Sequence, residues 1–211
     1  MPSRLGFYAY TVLDSLLGVV GVRSGSEEPR HALVAREAGL EIRRYAPRLV
    51  AETTVAGEEA AARNEGFSRL ARYIFGGNRG AARIAMTAPV AQEATGKGML
   101  IAMTSPVAQE GGPAGHRIRF FLPAALRDPP APLDPSVTIA TLPEQTFAVL
   151  RFTGLPSPAA MARARARLLA LLPSTGWRAA GEPVAWFYDP PWTIPPLRRN
   201  EVAVPVARQG N

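Results

Sequence analysis

Apolar and polar residues alternate in two stretches of the chain that carry nearly the same sequence. Residues 84–93 read IAMTAPVAQE, and residues 101–110 read IAMTSPVAQE. Alternation of this kind is typical of a β-strand, because successive side chains of a strand point to opposite faces. The short segment 94–98 between them contains two glycines and suits a tight reversal of the chain. The pattern predicts a β-hairpin whose arms place Met86 and Met103, each beside an isoleucine, on one face.

Two further segments have the spacing of amphipathic helices. The first covers residues 58–75, where two glutamates favour a helix N-terminus and the glycines from Gly76 onward end the helix. The second begins at Ser157-Pro158, a capping residue followed by a proline at the first helical position. It is expected to run to about Leu172, because Pro173 cannot continue it.

Short β-branched and aromatic runs bounded by turn residues predict strands on either side of each helix. Segment 49–55 leads into the first helix, and the similar segment 147–153 leads into the second. Because each half of the chain reads strands, helix, strands, we expect an α+β fold built from a duplicated strand-helix-strand unit. Its sheet is predicted to be a distorted antiparallel β-barrel or curved sheet flanked by the two helices. Further strands are expected at 31–36, 40–45, 117–122, 137–142, 182–188 and 201–206.

The length of 211 residues is enough for one well-packed domain. We expect this domain to span residues 27–207, with pseudo-repeats at about 31–122 and 137–206. Residues 1–26 are expected to form an N-terminal amphipathic helix and a linker. Within them, the apolar stretch 5–22 would pack on the domain or lie at a membrane surface. Since this stretch is nearly long enough to cross a bilayer, an uncleaved signal anchor also stays open. We expect a cytoplasmic monomer, with membrane anchoring as the alternative.

The formal net charge is +7, and nearly all the positive charge is arginine because Lys97 is the only lysine. The arginines are scattered singly and in pairs, which fits either general solubility or a site for an acidic small ligand. No recognition motif of a nucleic-acid-binding protein is present, so no nucleic acid partner is expected. The absence of cysteine excludes disulfides, thiolate metal sites and cysteine nucleophiles.

The common catalytic motifs are also absent from the sequence. The two histidines, His31 and His116, lack the spacing of a zinc-binding motif, and no serine stands in a Gly-x-Ser-x-Gly elbow. The glycine-rich segment 76–80 lacks the lysine that a phosphate-binding loop requires. We therefore expect a binding protein with no catalytic residue and no metal site.

The first helix carries a candidate binding surface. Its apolar residues share one face with Arg63 at spacings of three and four, and Arg69 and Arg72 flank that face. An ordinary helix packed on a sheet satisfies this pattern. An apolar wall edged by cations would also suit a flat hydrophobic anion, so both interpretations stay open. The residues of the face are Ala60, Arg63, Phe67, Leu70, Ala71 and Ile74.

The two methionines of the predicted hairpin are a second candidate feature. Methionine side chains adapt to irregular apolar ligands, and a thioether can also ligate haem iron, usually opposite a histidine. Filling of the core is the other role open to Met86 and Met103. The spacing alone does not choose between these roles.

Five short motifs, in order along the chain, resemble those of the SOUL/haem-binding protein family. They are EIRRY (41–45), YIFGGN (73–78), IAMTAPV (84–90), YDPPW (188–192) and RRNEV (198–202). The resemblance runs from about Glu27 to Val206 and implies a distorted antiparallel β-barrel with two flanking helices and an internal repeat. It also implies non-covalent binding of haem or another tetrapyrrole in a shallow apolar groove along the first helix, where cationic side chains meet the propionates.

Position by position, this resemblance assigns the apolar lining of the groove to Phe67, Leu70 and Ala71. It assigns a propionate contact to Arg72, whose planar guanidinium can pair with a carboxylate through two hydrogen bonds. With the neighbouring candidates added, the expected cofactor-binding residues are Arg63, Phe67, Leu70, Ala71, Arg72, Met86 and Met103.

Three positions depart from the family pattern. A second basic position on the helix is Asn64 here, although the adjacent Arg63 could replace it. The histidine proposed as the iron ligand in some members is Arg44, and a lysine of the C-terminal turn is missing from residues 192–194. We therefore expect low to moderate affinity that tolerates metal-free porphyrin. The remaining candidates for an iron ligand are His31, Tyr45 and the two methionines.

Two other functions remain open at this point. The chain could be a membrane-associated or protein-interaction module that keeps the fold without binding haem and docks through residues 5–22. It could also be a small-molecule hydrolase, by analogy with the duplicated architecture of gyrase-inhibitor-like domains. Glu52 and Glu144 would then be the first acids to test.

Overall fold

The computed structural model describes residues 27–95, 115–190 and 192–210. Within these residues there are two α-helices and ten β-strands. Short 3₁₀ turns lie at Leu172–Ser174 and Pro195–Leu197. The main elements are β1 (His31–Glu37), β2 (Leu40–Tyr45), β3 (Arg48–Ala56), α1 (Glu59–Ile74), β4 (Val90–Thr95), β5 (Gly115–Phe121), β6 (Thr138–Leu142), β7 (Gln145–Phe152), α2 (Pro158–Leu171), β8 (Trp177–Ala179), β9 (Val184–Phe187) and β10 (Asn200–Arg208).

The strands form one antiparallel sheet that curls into a half-barrel. The strand order is β1-β2-β7-β10-β9-β4-β5-β3-β6, and β8 pairs with the end of β10. In the chain, β3 precedes α1 and β4 and β5 follow it, and in the sheet β5 pairs with both β3 and β4. In the same way, β7 precedes α2 and β9 and β10 follow it, and β10 pairs with both β7 and β9. The two sets meet where β4 pairs with β9. The predicted α+β class, curved antiparallel sheet and two flanking helices are confirmed.

Helix α1 lies very close to the sheet because a glycine faces it. The buried stripe of the helix is Ala62, Gly66, Leu70 and Ile74, at intervals of four residues, with Tyr73 beside it. A Cβ atom added to Gly66 would lie 2.7 Å from Cγ1 of Ile118 on β5. The missing side chain therefore lets the helix backbone approach the strand.

Helix α2 packs over the other half of the sheet. It begins as predicted, because Oγ of Ser157 accepts a hydrogen bond from the backbone N–H of Ala160 at 3.3 Å. Met161 and Leu168 are buried against β7 and β10. Leu169, the residue after Leu168, is 44% exposed.

The side of the sheet turned away from both helices is called here the helix-free face. Strand alternation separates the two sides: on β10, Val202 and Val204 pack beneath α2, whereas Glu201 and Ala203 point to the helix-free face. This face is not simply solvent-exposed, because a buried aromatic cluster covers its centre. The aromatic members of that cluster are Tyr45, Phe121, Phe147, Trp186 and Tyr188.

The predicted strand at 84–93 is wrong in its first half. Residues 81–86 lie in no strand, and β4 begins only at Val90, directly after Pro89 and its cis peptide bond. Residues 90–92 pair with β5 on one side and with β9 on the other, so they have no free edge for the predicted pairing with 101–110. Alternation also fails to place Ile84 and Met86 together, since Ile84 is buried and Met86 is exposed.

Two other predictions lie outside the described residues. These are the second arm of the hairpin at 101–110, with Met103, and the N-terminal stretch 5–22. In the part of the chain that the structure describes, no helix is long and apolar enough to cross a membrane.

Candidate functional site

An open apolar row follows the outer side of α1. Phe67 is 38% exposed and lies edge-on to Phe120, with the two ring centroids 5.2 Å apart. Ala71, one turn later, is half-buried, and Phe75 at the C-cap is 64% exposed. Together with Arg72 these three residues are called the α1 surface: Phe67, Ala71, Arg72 and Phe75. The surface combines exposed aromatic rings with one cation.

Neighbouring segments add apolar side chains at the C-terminal end of α1. The backbone N–H of Leu133 donates to the carbonyl of Gly77, and that of Ile84 donates to the carbonyl of Ile74. Leu133 is 63% exposed, and Met86, two residues after Ile84, is 36% exposed. The end of the helix thus has more exposed apolar surface than its start.

Two of the predicted site residues do not belong to this surface. Leu70 is fully buried in the core between α1 and the sheet. The guanidinium carbon of Arg63 lies 4.6 Å from the ring centroid of Phe187 on β9, and burial lowers the pKa of Arg63 although Glu59 partly offsets this. Arg63 therefore packs between the helix and the sheet.

Arg72 is the exposed cation of the α1 surface. Its side chain has no hydrogen bond or ion pair within the described residues, whereas Arg69 is held by Glu65 through a 2.8 Å contact one helical turn away. Hydrogen bonds from Ser136 lower the pKa of Asp134, and the charges of Arg69 and Arg72 add to this effect. Arg72 thus lies within electrostatic range of a carboxylate without pairing with it.

The candidate iron ligands are spread over different parts of the molecule. Met86 follows α1, but His31 and Tyr45 lie on the helix-free face, where their ring centroids are 5.1 Å apart. Arg44, at the position of the family histidine, is exposed on β2. Across the described ranges, no group of three or more acidic or histidine side chains is placed to hold a metal ion.

A buried network of charged side chains crosses the helix-free face. Glu201 of β10 is fully buried and accepts hydrogen bonds from Arg43 at 2.8 and 3.1 Å. Arg199 donates to the same carboxylate at 3.0 Å, and the hydroxyl of Tyr188 donates to it at 2.7 Å. Each oxygen of Glu201 therefore has two donors. Arg43 also donates to Glu41 at 2.8 Å.

The electrostatics of this network favour one protonation state. Burial alone would raise the pKa of Glu201, but the hydrogen bond and charge of Arg43, followed by the charge of Arg199, hold it below its ordinary value. Burial and the charge of Glu201 raise the pKa of Tyr188 well above its ordinary value. At neutral pH the network thus contains an ionised Glu201 and a protonated Tyr188.

The network unites motifs that are far apart in the sequence. Arg43 comes from EIRRY, Tyr188 from YDPPW and Glu201 from RRNEV. Sequence reasoning recognised these motifs but did not place their residues at a shared site. The alternation along β2 indicates that Arg43 lies on the helix-free face, because it puts Arg43 on the side of the strand opposite to Leu40 and Ile42.

Arg48 on β3 is half-buried on this face, in different surroundings. Its guanidinium carbon lies 4.2 Å from the ring centroid of Tyr45 and 4.9 Å from that of Phe121. Its Nε and Nη1 atoms are buried and have no hydrogen-bond partner in the described part of the chain. Burial lowers the pKa of Arg48 to about 10.

Two depressions lie on the helix-free face. The larger is a cleft of about 460 Å³, with Glu41, Arg43 and Arg151 among its lining residues. The smaller is a cavity of about 10 Å³ beside Arg48. Among the described residues, none of those predicted to bind the cofactor lines either one, whereas the candidate iron ligands His31 and Tyr45 line the smaller. The α1 surface is thus an open face of the molecule rather than one of these two depressions.

The two acids considered for a hydrolase do not meet. Glu52 on β3 is paired with Arg119 on β5 through a 2.7 Å contact. Glu144 is exposed between β6 and β7. The structure therefore does not form an acid pair from these residues.

Sequence comparison identifies one family. A family model described as SOUL heme-binding protein matches residues 26–205. No curated protein matches the chain at a significant level.

Solved structures with a similar fold have very different sequences. The C-terminal domain of EcmrR is similar with a TM-score of 0.58 at 10% identity, over 81% of this chain and 98% of that one. EcmrR in its complex with DNA gives a TM-score of 0.59 at 8% identity, over 96% and 70% of the two chains. A hydrolase from Listeria innocua gives 0.51 at 12% identity, over 82% and 94%. At such identities the likeness shows the fold alone.

Proposed function

The chain belongs to the SOUL heme-binding protein family, and from this premise we propose that it binds haem or another tetrapyrrole non-covalently over the α1 surface. The supporting observation is the row formed by the exposed Phe67 and Phe75 and the half-buried Ala71, beside the unpaired Arg72. Two exposed aromatic rings with a small residue between them suit a flat apolar ligand, and an unpaired arginine suits its carboxylates. The protein acts as a binding or carrier protein.

Haem, when bound, supplies a flat apolar macrocycle, two propionates and an iron centre. The α1 surface fits the first two of these groups. Phe67 and Phe75 offer ring faces and edges to the macrocycle, and Arg72 offers its guanidinium to a propionate. Leu70 contributes indirectly, because its burial in the core holds the helix against the sheet.

The same surface fits iron poorly. Of the candidate ligands in the described residues, Met86 follows α1, whereas His31 and Tyr45 lie on the helix-free face. Binding therefore rests on apolar contact and propionate pairing. We expect similar, low to moderate affinities for haem and for metal-free porphyrin.

The test is a titration of the protein with hemin and, separately, with protoporphyrin, followed by Soret absorbance. Both ligands are expected to bind saturably. Arg72→Ala is expected to weaken both about tenfold, because a charged hydrogen bond at a partly exposed site contributes roughly 1.5 kcal/mol. The dimethyl ester of protoporphyrin has no propionate charge and should bind wild type and variant equally.

Arg167→Ala is the matched control, since Arg167 is an exposed arginine on the other helix. It should leave both affinities unchanged. Equal losses in the two variants would mean that Arg72 acts only through net charge. Failure of wild type to bind either porphyrin would refute the proposal. Binding of hemin alone would show that an iron ligand dominates instead.

A further inference from the structure

Two nitrogens of the half-buried Arg48 lack the hydrogen-bond acceptors that buried guanidinium nitrogens normally have. Arg43, buried on the same face, has a carboxylate with two short hydrogen bonds, whereas Nε and Nη1 of Arg48 have no acceptor among the described residues. The two aromatic rings beside Arg48 stabilise its charge through their faces but cannot accept strong hydrogen bonds. Buried guanidinium nitrogens without acceptors lower the stability of the fold.

A small cavity lies beside this guanidinium. Its volume is about 10 Å³, which is close to the lower limit for one water-sized group. The walls include the rings of Trp186 and Tyr188 together with Pro89. Glu28 also lines the cavity, but its carboxylate is engaged by Arg199 at 3.0 Å. The acceptor that Arg48 lacks could therefore enter here, as long as it is no larger than a single oxygen atom.

The cavity and the larger cleft have lining residues in common. Glu28 and His31 belong to both, and the cleft of about 460 Å³ lies in the size range of small-molecule sites. The space at Arg48 is too small to enclose a whole phosphate or sulfate group. A carboxylate can place one oxygen in the cavity while the rest of the molecule extends into the cleft.

We propose that Arg48 anchors a second ligand site on the helix-free face, which binds a small organic carboxylate. The carboxylate oxygen accepts a hydrogen bond from Arg48 in the small cavity, and the organic part lies toward the larger cleft. This site is separate from the α1 surface, since α1 packs on the opposite side of the sheet. A halide is the other small anion that could enter the cavity, so the test compares the two.

The experiment measures the thermal unfolding midpoint while sodium acetate replaces sodium chloride at constant ionic strength. Wild type is expected to show a saturable rise of about 4 °C once acetate exceeds its dissociation constant about tenfold. Arg48→Met should abolish the rise. This variant should also have a higher midpoint than wild type in chloride alone, because it removes two buried nitrogens that have no acceptor among the described residues, and so loss of folding does not obscure the result.

Arg44→Met is the matched control, since Arg44 is an exposed arginine on β2, the strand that precedes β3 in the chain. It should respond to acetate like wild type, and so should Arg72→Ala. An equal response in Arg48→Met would reveal a general salt effect and overturn the proposal. No saturable response in wild type would overturn it as well, because the cavity would then hold water or chloride.

Discussion

Arg43 is buried and Arg48 half-buried on the helix-free face, yet of the two only Arg43 has a carboxylate partner among the described residues. Glu201 receives two hydrogen bonds from Arg43 and one each from Arg199 and Tyr188, so its charge is fully compensated. Removing any one charged member of such a network destabilises the fold, because the remaining charges stay buried without a partner. Arg43 therefore needs no further anion, whereas two nitrogens of Arg48 still lack an acceptor among the described residues.

We expect Glu201→Gln to destabilise the fold by about 3 kcal/mol at pH 7, because it leaves the Arg43 and Arg199 charges without an anion. Urea unfolding at equilibrium measures this loss. The matched control is Glu144→Gln, at an exposed position, which should change the free energy of unfolding by less than about 0.5 kcal/mol. A loss as small as that of the control would mean that water solvates the network.

The same variant has a defined pH dependence. The pKa of Glu201 is lowered in the folded state, so its stabilising effect is present above its ordinary pKa and is lost as pH falls through the folded value. The difference between wild type and Glu201→Gln should therefore shrink between pH 5 and strongly acidic pH. A difference that stays constant over this range would contradict the lowered pKa.

At the scale of elements, α1 shows how far a sequence pattern can be trusted. The predicted limits, 58–75, agree closely with Glu59–Ile74, because the first-turn acids and the following glycines mark both ends. The predicted face was rotated, however. Counting apolar residues put Phe67 at its centre, whereas the buried stripe includes Gly66, which no hydrophobicity count would select. The rotation is what leaves Phe67 open to a ligand.

Gly66→Ala tests this packing. A helix interior normally gains about 1 kcal/mol from this change, but a new Cβ would meet three atoms of Ile118 at 2.7–2.9 Å. Overpacking of this kind costs about 1–3 kcal/mol, so we expect a net loss of up to about 2 kcal/mol in urea unfolding. Asn64→Ala, at an exposed position of α1, should gain a few tenths of a kcal/mol. A stabilised Gly66→Ala would show that helix and strand can move apart freely.

The strand prediction at 84–93 failed for a different reason. Alternation describes which side chains share a face, but it does not identify the neighbouring strand. The true partners of β4 are β5 and β9, and β9 lies more than ninety residues away in the chain. The near-repeat 101–110 suggested a closer partner, and a pairing that bridges two halves of a molecule leaves no local signal.

At the scale of the whole molecule, the halves are joined in more than one place. The sheet is continuous through the pairing of β4 with β9. On the helical side, Arg165 of α2 contacts Glu59 of α1 through two parallel hydrogen bonds of 2.8 and 3.1 Å. On the helix-free face, Arg43 reaches across from β2 to Glu201 on β10. These links let a repeated architecture form one sheet.

The class of the fold followed from the sequence, but the arrangement on the helix-free face did not. Capping residues and periodicity act over a few positions, so the helices and the order of elements were predictable. Arg43, Tyr188 and Glu201 come together only after the sheet forms, and each on its own resembles a surface residue. Arg48 gave no signal at all, because a missing partner is a property of the folded chain.

The ion pair between the helices provides the last prediction. The side chain of Arg165 is 30% exposed and that of Glu59 is 20% exposed. Both terminal nitrogens of the guanidinium donate to the carboxylate, which is the favourable geometry for a partly exposed pair. A double-mutant cycle with Glu59→Gln and Arg165→Gln should give a coupling energy of about 0.5–1 kcal/mol in urea unfolding, decreasing at high salt. The local pair Glu65–Arg69 on α1 is the control and should couple by about 0.3–0.5 kcal/mol. Because residues 59 and 165 are distant in the chain, a coupling near zero would mean that the two helices sit on the sheet independently, and that the sheet alone unites the halves.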